Sequence, residues 1–337
     1  MKKSISLLIV LALILSLFAL VGCGGEEDSD GETLSVCVVV SAGFGDKSFN
    51  DSARDGAERL KDDKGIEVSY IECNNEGIKQ KLMDAADAND IVVAVGWECL
   101  DIAEVAPEYP ETKFIWVDNV AEGIENLSNV LCITYAQSEG SFLAGYIAAN
   151  MSKTGVVGAV GGEDDIVVND YLLGYEQGAA YANPDVAVET VYAGDYEDPT
   201  LGKECATTLA DKGADIIFNV AGNSGNGIFE VAKEKSFYAI GADKDQKISN
   251  AEYDDVIICS MVKEIGQSIY DIISEFINNG TWNGGTVWET GLATGYISIS
   301  YGGEDSTQQI GDELKSKVEE VSAQIISGEI EIDSTIN

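Results

Sequence analysis

The stretch SAGFGDKSFNDSARDG, residues 41–56, follows a short apolar run over residues 34–40. The apolar run predicts a buried strand, the glycine-rich stretch predicts a turn, and the residues from Ser52 onward predict a helix. Turns of this kind, between a strand and the start of a helix, often hold phosphate groups. The order of strand, turn and helix is typical of α/β folds. The turn raises the question of which ligand it binds.

The same order recurs along the chain. Continuous apolar runs of four to six residues between helices favour parallel strands buried on both faces. Their alternation with helices favours a doubly wound α/β sheet. Eight such strands suit two lobes of about four strands each. The runs cover residues 36–40, 91–95, 114–117, 131–135, 156–160, 188–193, 216–220 and 237–240, and a helix is expected over residues 100–109.

The last third of the chain predicts a hinge with several crossings between the lobes. A helix over residues 264–280 follows the last strand of the second lobe, then one strand over 286–301 and an amphipathic helix over 306–327. We therefore divide the chain into segments along these lines. They are a signal peptide (1–22), a tether (23–33), an N-terminal lobe (34–136 plus 264–290) and a C-terminal lobe (137–263 plus 291–337).

The first loop does not fit either common phosphate-binding template. A P-loop needs glycine before its lysine, but Asp46 precedes Lys47. A dinucleotide fingerprint that starts at Gly43 and Gly45 would need a third glycine where Ser48 stands. A carboxylate inside the loop would also repel a phosphate. The loop therefore predicts a ligand without a phosphate group.

Polar side chains around one aromatic ring make this loop a candidate ligand site. Asp46, Ser48, Asn50 and Asp51 offer donors and acceptors for hydroxyl groups or ring nitrogens. Phe49 lies among them and could stack on a flat ligand. Two simpler interpretations stay open: Phe49 packs beneath the loop, and Asn50 and Asp51 are helix caps.

Other strand ends supply further candidates, because ligands in such folds bind beyond the carboxyl ends of the strands. Gly222 belongs to a glycine-rich loop that allows close backbone approach. Asp243 and Asp245 are two residues apart and suit vicinal hydroxyls. Tyr196 could form a second aromatic wall opposite the first loop. Asp198, which precedes a proline, is equally well explained as a helix start.

The N-terminus has the pattern of a secretory signal. Lys2 and Lys3 precede an almost continuous apolar run over residues 5–20. The sequence Leu20-Val21-Gly22-Cys23 resembles a bacterial lipobox, which implies cleavage before Cys23 and diacylation of its sulfur. An uncleaved membrane anchor is the alternative, although the run is short for a span.

Composition excludes several function classes. The chain has 59 acidic and 20 basic residues, a formal net charge of −39, and no histidine. Such a charge repels nucleic acid, and it fits a solvated surface or a salt-adapted one. Without histidine there is no Ser-His-Asp triad and no imidazole ligand for zinc. We expect neither an enzyme nor a cofactor.

The cysteines are expected to be mostly buried free thiols. Cys37, Cys132 and Cys259 lie inside apolar strand-like runs, and the chain has no C-x-x-C pair. Buried thiols behave as small apolar side chains. One disulfide is the alternative, because exported proteins can oxidise.

Six motifs occur in order along the chain: GDKSFND, SEGSFLAGYIAA, VGG…YLLGYEQGA, YEDPTLGKE, AGNSGNGIFEVAKE and IGADKDQ. Together they resemble the basic membrane lipoprotein family, substrate-binding lipoproteins of ABC importers. The resemblance runs from about residue 36 to residue 329 and implies a type I periplasmic-binding fold, with two doubly wound lobes joined by a multi-strand hinge. The best understood members of the family bind purine nucleosides.

The resemblance implies which residues contact the base of such a ligand. Phe49 matches the aromatic that stacks on the base. Asp46, Asn50 and Asp51 match the polar neighbours that bond the edge of the base. Asp118 matches an acid after the third strand that makes another contact to this edge.

The resemblance also implies an aromatic residue on the facing lobe and a set of residues that contact the ribose of the ligand. Tyr196 matches the aromatic. Gly222 with its loop, Asp243, Asp245 and Lys263 match the contacts to the sugar.

Two segments depart from the family pattern. Trp97 stands where the family more often has a smaller or phenyl-type residue, and we count it among the ligand-binding residues. The segment GGEDDIVVNDY, residues 161–171, is unusually acidic and lacks a proline that is common there.

The resemblance implies an extracytoplasmic monomer, held on the cell membrane by its lipid, which delivers a purine nucleoside to an ABC permease. Two other functions are weighed against this one. The first is a sugar- or signal-binding lipoprotein that serves a sensor. The second is an exported nucleoside hydrolase, which would need its acids clustered around a metal.

Overall fold

Twelve strands form two six-stranded sheets in residues 33–336, the part of the chain that the computed structural model describes. The predicted signal peptide and Cys23 lie outside these residues. The strands are β1 Ser35–Val40, β2 Glu67–Glu72, β3 Ile91–Val95, β4 Lys113–Val117, β5 Val130–Tyr135, β6 Val156–Gly161, β7 Ala187–Tyr192, β8 Ile216–Val220, β9 Tyr238–Asp243, β10 Ile257–Lys263, β11 Thr286–Thr290 and β12 Ile297–Ser300.

The first sheet has the order β11-β5-β4-β3-β1-β2 and the second β12-β10-β9-β8-β6-β7. All pairs are parallel except β10 with β12, which is antiparallel. β3 and β8 are buried along their whole length, as expected for central strands covered on both faces. The α/β class with two doubly wound sheets is confirmed, but the expectation of four strands in each is wrong, because each sheet has six. β2 was missed, and β10, β11 and β12 were not counted among the eight expected strands.

Ten α-helices cover the sheets in residues 33–336. The helix expected over residues 100–109 is wrong: only one turn of α-helix forms there, and a 3₁₀ turn that contains Pro107 follows it. The helices are α1 Phe49–Lys64, α2 Ile78–Ala88, α3 Ile102–Val105, α4 Gln137–Met151, α5 Ile166–Ala182, α6 Pro199–Asp211, α7 Asn226–Lys235, α8 Gln246–Ser249, α9 Ile265–Asn279 and α10 Asp312–Ile326.

The chain passes from one sheet to the other three times, after β5, after β10 and between β11 and β12. The single strand expected over residues 286–301 is in fact two strands, one in each sheet, because the 3₁₀ turn Leu292–Thr294 separates them. The expected C-terminal helix is present but begins later, at Asp312. The division into lobes at residues 136, 263 and 290 stays a prediction.

The helices α4 and α5 pack closely against each other. A Cβ atom on Gly145, Gly174 or Gly178 would lie 2.0, 2.2 or 1.8 Å from a backbone oxygen of the opposite helix. No side chain fits at these three contacts. The two helices therefore pack with their backbones in direct contact.

The cysteines agree with the expectation of buried thiols. All six in the described residues are free, five of them are buried, and Cys205 is partly exposed. Within residues 33–336, no helix combines the length and apolarity needed to cross a membrane.

Candidate functional site

A cavity lies between the two sheets, at the carboxyl ends of their parallel strands. The volume open to the centre of a water-sized sphere is about 90 Å³. The lining from first-sheet loops is Ser41, Ala42, Asp46, Phe49, Asn50, Gly96, Trp97, Glu98 and Asp118. The lining from the second sheet and its loops is Asp165, Val167, Val168, Tyr171, Tyr196, Glu197, Val220, Gly222, Asn223, Asp243 and Lys263.

The Asp46 carboxylate holds the loop after β1 in place. It accepts hydrogen bonds from the backbone N–H groups of Ser48 and Asp51, both at 3.0 Å, and of Asn50 at 2.7 Å. Burial raises the pKa of the Asp46 carboxyl to about 7, although these three N–H groups act in the opposite direction. Asp46 therefore caps α1 in addition to lining the cavity.

Asn50 and Asp51 do not cap the helix, so that interpretation is wrong. The Asn50 amide Nδ2 donates to the carbonyl of Gly43 at 2.9 Å. The Asp51 carboxylate accepts from the backbone N–H groups of Gly45 and Lys47 at 2.9 and 3.0 Å. Asn50 lines the cavity and Asp51 does not.

Lys263 ends β10 and is the central cation of the cavity, with 1% of its surface exposed. Its Nζ lies 2.5 Å from Oδ2 of Asp118, so this ion pair joins the two sheets. The rings of Phe49, Tyr135 and Tyr171 surround the ammonium at 5.2, 4.9 and 5.4 Å from their centroids, within range of cation–π attraction. Burial raises the pKa of the Asp118 carboxyl, and Lys263 acts in the opposite direction.

Asp243, the last residue of β9, forms a second link between the sheets. Its carboxylate accepts hydrogen bonds from the hydroxyl of Tyr171 and, at 2.8 Å, from that of Ser48 in the first-sheet loop. The single proton of the Ser48 hydroxyl is shared between that carboxylate and the backbone carbonyl of Ala242, which lies 2.9 Å away. A carboxylate has about four acceptor positions, so Asp243 keeps capacity for a ligand hydroxyl.

Tyr196 enters the cavity from the loop after β7 and faces the first-sheet loops. Its hydroxyl donates to the carboxylate of Asp165, and its ring covers Gly162. A Cβ atom on Gly162 would lie 2.1 Å from this ring, which explains the glycine. Gly222 has a φ of +53° and lies beside the same tyrosine. Burial, and then Asp165, raise the pKa of the Tyr196 hydroxyl.

Asp245 lies away from the cavity. Its carboxylate accepts from the backbone N–H groups of Lys247 and Gly302, both at 3.1 Å, and from the hydroxyl of Ser300. It caps α8 and ties it to β12. Nine of the eleven predicted ligand-binding residues thus line the cavity, and Asp51 and Asp245 do not. The contacts of all eleven to a ligand stay predictions.

Acidic side chains far outnumber basic ones in the lining. Six carboxylates and one ammonium group, that of Lys263, belong to the lining residues. Burial raises the pKa of the Glu98 carboxyl. Among the described residues, no three acidic or cysteine side chains lie together in a way that could hold a metal ion.

Several lining residues were not predicted from the sequence. Asp165 and Tyr171 belong to the acidic segment whose departure from the family pattern was noted, and this was the one signal that could have found them. Glu98 follows Trp97, and Glu197 follows Tyr196, so each stands next to a predicted aromatic. An acidic chain offers many such neighbours, and the sequence does not say which of them faces the cleft.

Comparison with known proteins agrees with this geometry. The family described as "ABC transporter substrate-binding protein PnrA-like", Bmp, matches residues 33–335. Basic membrane protein A of Borreliella burgdorferi is 32% identical over 330 residues, which cover 97% of this chain and 95% of that protein. Basic membrane protein A1 of Borrelia garinii subsp. bavariensis is 32% identical over 326 residues, with 96% and 95% covered.

A solved structure of the same kind is similar along most of its length. The ABC transporter solute-binding protein from Aeropyrum pernix K1 superposes with a TM-score of 0.78 and 28% identity over 89% of this chain and 93% of that one. The family match over residues 33–335 includes both sheets and every loop that lines the cavity. The chain therefore belongs to the Bmp family, the PnrA-like substrate-binding proteins of ABC transporters.

Proposed function

We propose that this protein binds a purine nucleoside in the cavity between its sheets and delivers it to an ABC permease. The observation that carries the proposal is the make-up of the lining: aromatic rings from both sheets, Phe49 and Tyr196, together with six carboxylates and one lysine. Rings on two sides suit a flat base, since aromatic stacking adds about 0.5–1.5 kcal/mol beyond burial.

The charge of the cavity favours a ligand without phosphate. A phosphate group would enter a space with six carboxylates and one ammonium, and that ammonium already pairs with Asp118. Like charges brought together at a buried site cost several kcal/mol. A nucleoside carries no such charge, whereas the matching nucleotide does.

The second-sheet end of the cavity suits the sugar. Asp243 retains acceptor capacity, and Lys263 donates from the adjoining strand. Vicinal hydroxyls donate to carboxylates and accept from ammonium groups. Ribose therefore fits beside these two residues while the base lies between the rings.

The protein is proposed to act from the outer face of the cell membrane as a lipid-anchored monomer. The lipobox-like sequence that ends at Cys23 supports this, together with the polar tether that follows it. Mass spectrometry of the N-terminal peptide should show a diacylglyceryl group on Cys23. Cys23→Ser should move the protein from the membrane fraction to the soluble fraction, and unchanged membrane association would contradict the anchor.

Titration calorimetry tests the ligand. We expect inosine, guanosine or adenosine to bind, and the corresponding 5′-monophosphates to bind at least about a hundredfold more weakly, because of the carboxylates. Ribose and glucose are tested in parallel, and the solution is analysed for free base after each titration. Binding of sugars without nucleosides would favour a sugar-binding protein, and release of free base would show a hydrolase. Either result would overturn the proposal.

A further inference from the structure

The loop Gly96–Glu98, between β3 and α3, is fixed by its surroundings. Gly96 has a φ of +116°, and a Cβ atom there would lie 2.4 Å from the Ser41 hydroxyl and 2.5 Å from the Glu98 carboxylate. The indole N–H of Trp116 donates to the carbonyl of Gly96 at 2.9 Å. The loop therefore has little room to adjust around the side chain of Trp97.

The backbone of Trp97 is also held. The Asn119 amide Nδ2 donates to the carbonyl of Trp97 at 3.1 Å. The Trp97 ring lines the cavity and packs against the main hydrophobic core. The position of the indole is thus set before any ligand arrives.

The indole N–H of Trp97 has no hydrogen-bond partner among the described residues, although it is buried. Tryptophan N–H groups usually find a partner when buried, and a buried donor left unpaired costs roughly 1–3 kcal/mol. The N–H groups of Trp116 and Trp282 show the ordinary case, since each donates to a backbone carbonyl. Of these three tryptophans, only Trp97 lines the cavity, and only its N–H has no partner. A bound ligand could supply that partner.

An unpaired acceptor lies in the same lining. Asn50 is 6% exposed, and its Oδ1 is buried without a partner. Its orientation is fixed because Nδ2 faces the carbonyl of Gly43, which only a donor can do. The lining residues Trp97 and Asn50 thus carry one unused donor and one unused acceptor, which match a heterocycle whose edge carries both an acceptor and an N–H group.

We propose that the indole N–H of Trp97 donates a hydrogen bond to a ring nitrogen or carbonyl oxygen of the bound base, and so makes Trp97 a specificity-determining residue. This inference rests on the proposed function, because purine bases carry such acceptors at N7, N3 or O6. Binding relieves the unpaired donor, so the hydrogen bond favours ligands with an acceptor at that position.

Trp97→Phe removes the N–H and keeps an aromatic ring. We expect it to weaken guanosine and inosine binding by about 3- to 10-fold, the range for one neutral hydrogen bond. Loss of the N–H should not lower the melting temperature of the ligand-free variant, since the N–H makes no hydrogen bond within the protein. The matched control is Trp282→Phe: its N–H donates to Ser128 O at 3.0 Å outside the cavity, so it should bind nucleosides like the wild type.

A second measurement does not depend on the variant. In protein labelled with ¹⁵N-tryptophan, the indole N–H resonance of Trp97 should shift downfield and exchange more slowly with solvent when guanosine is added. An unmoved Trp97 resonance at saturation, or Trp97→Phe with wild-type affinity, would overturn the inference and leave the proposed function standing. If the wild-type protein binds no purine nucleoside, both proposals fall.

Discussion

Lys263 and Lys47 both join the two sheets, but they do so in opposite directions and in opposite surroundings. Lys263 belongs to the second sheet and reaches Asp118 of the first from inside the cavity, with its side chain 1% exposed. Lys47 belongs to the first-sheet loop and reaches Asn250 and Glu252 beyond β9, with its side chain 39% exposed. Lys263 lines the cavity and Lys47 does not.

The difference in burial predicts effects of different size when either lysine is replaced. A buried pair is expensive to desolvate, and loss of one partner leaves a charge with no compensation. An exposed pair gains little and is screened by salt. We therefore expect loss of Lys263 to impair both folding stability and ligand binding, and loss of Lys47 to have only a small effect on either.

The largest effect should follow from Lys263→Met. The change leaves Asp118 buried without its cation, which typically destabilises a protein by about 3–5 kcal/mol. Urea unfolding should show this loss, and nucleoside binding should fall below detection.

A double variant tests the cause. Lys263→Met with Asp118→Asn removes both charges, and it should recover most of the stability but not the binding. Asparagine tolerates the φ of +73° at position 118. If the single variant were as stable as the wild type, the buried pair would not have the importance assigned to it.

Phe49→Ala removes the ring that covers Lys263 on the cavity side. Loss of one aromatic–base stack costs about 1–3 kcal/mol, so nucleoside affinity should fall roughly 5- to 150-fold. The melting temperature of the ligand-free protein should change little, because Phe49 is only half-buried.

Phe44→Ala is the matched control in the same loop. Phe44 packs edge-on against Tyr70, with their centroids 5.5 Å apart, and does not line the cavity. It should therefore alter stability and leave affinity unchanged. A Phe49→Ala protein that lost stability and kept its affinity would show that the ring belongs to the core.

The sequence predicted the strands that are buried on both faces, because a continuous apolar run leaves few other structures. β3 and β8 have the predicted bounds. β2 was missed because its sequence, EVSYIE, mixes exposed and half-buried positions at the sheet edge. The helix after β3 was overestimated because Pro107 interrupts an otherwise helical pattern.

The rule that ligands bind beyond strand ends located most of the lining, but it could not assign single acids. Asp51 and Asp245 lie beside lining residues in sequence, yet their carboxylates bond the backbone of their own segments. Asp165 was not named, although its carboxylate accepts from Tyr196 within the cavity. The side-chain direction that separates these acids depends on backbone conformation, which spacing alone does not reveal.

Asp46 is the counterpart of Asp118, a buried carboxylate that has backbone N–H groups in place of a lysine. Burial raises its folded-state pKa to about 7, whereas an unfolded aspartate titrates near about 3.9. Its contribution to stability is therefore fully present below about pH 4 and is lost as pH rises through about 7. The free energy of unfolding should fall between pH 5 and pH 8, on the order of 2 kcal/mol from this group.

Asp46→Asn should flatten this pH dependence, which urea unfolding at several pH values can measure. Asp62→Asn, on the exposed side of α1, controls for the loss of one negative charge. An equally steep fall in stability for Asp46→Asn and the wild type would assign the pH dependence to other acids.

The smallest effect should come from Lys47→Met. The ammonium bonds to Asn250 and Glu252 at 3.0 and 3.1 Å would be lost, but the Lys47 carbonyl would still accept from the Ser249 hydroxyl at 3.0 Å. Exposed ion pairs contribute about 0–1 kcal/mol, so nucleoside affinity should fall about fivefold at most, and less in high salt.

Lys61→Met is the control for Lys47→Met, because Lys61 pairs with Glu58 on the same helix at 3.5 Å and joins no second sheet. Its affinity should match that of the wild type at every salt concentration. A loss for Lys47→Met as large as that for Lys263→Met would mean that the exposed contacts of Lys47 are as important for binding as the buried pair. The contrast between the two lysines would then have to be abandoned.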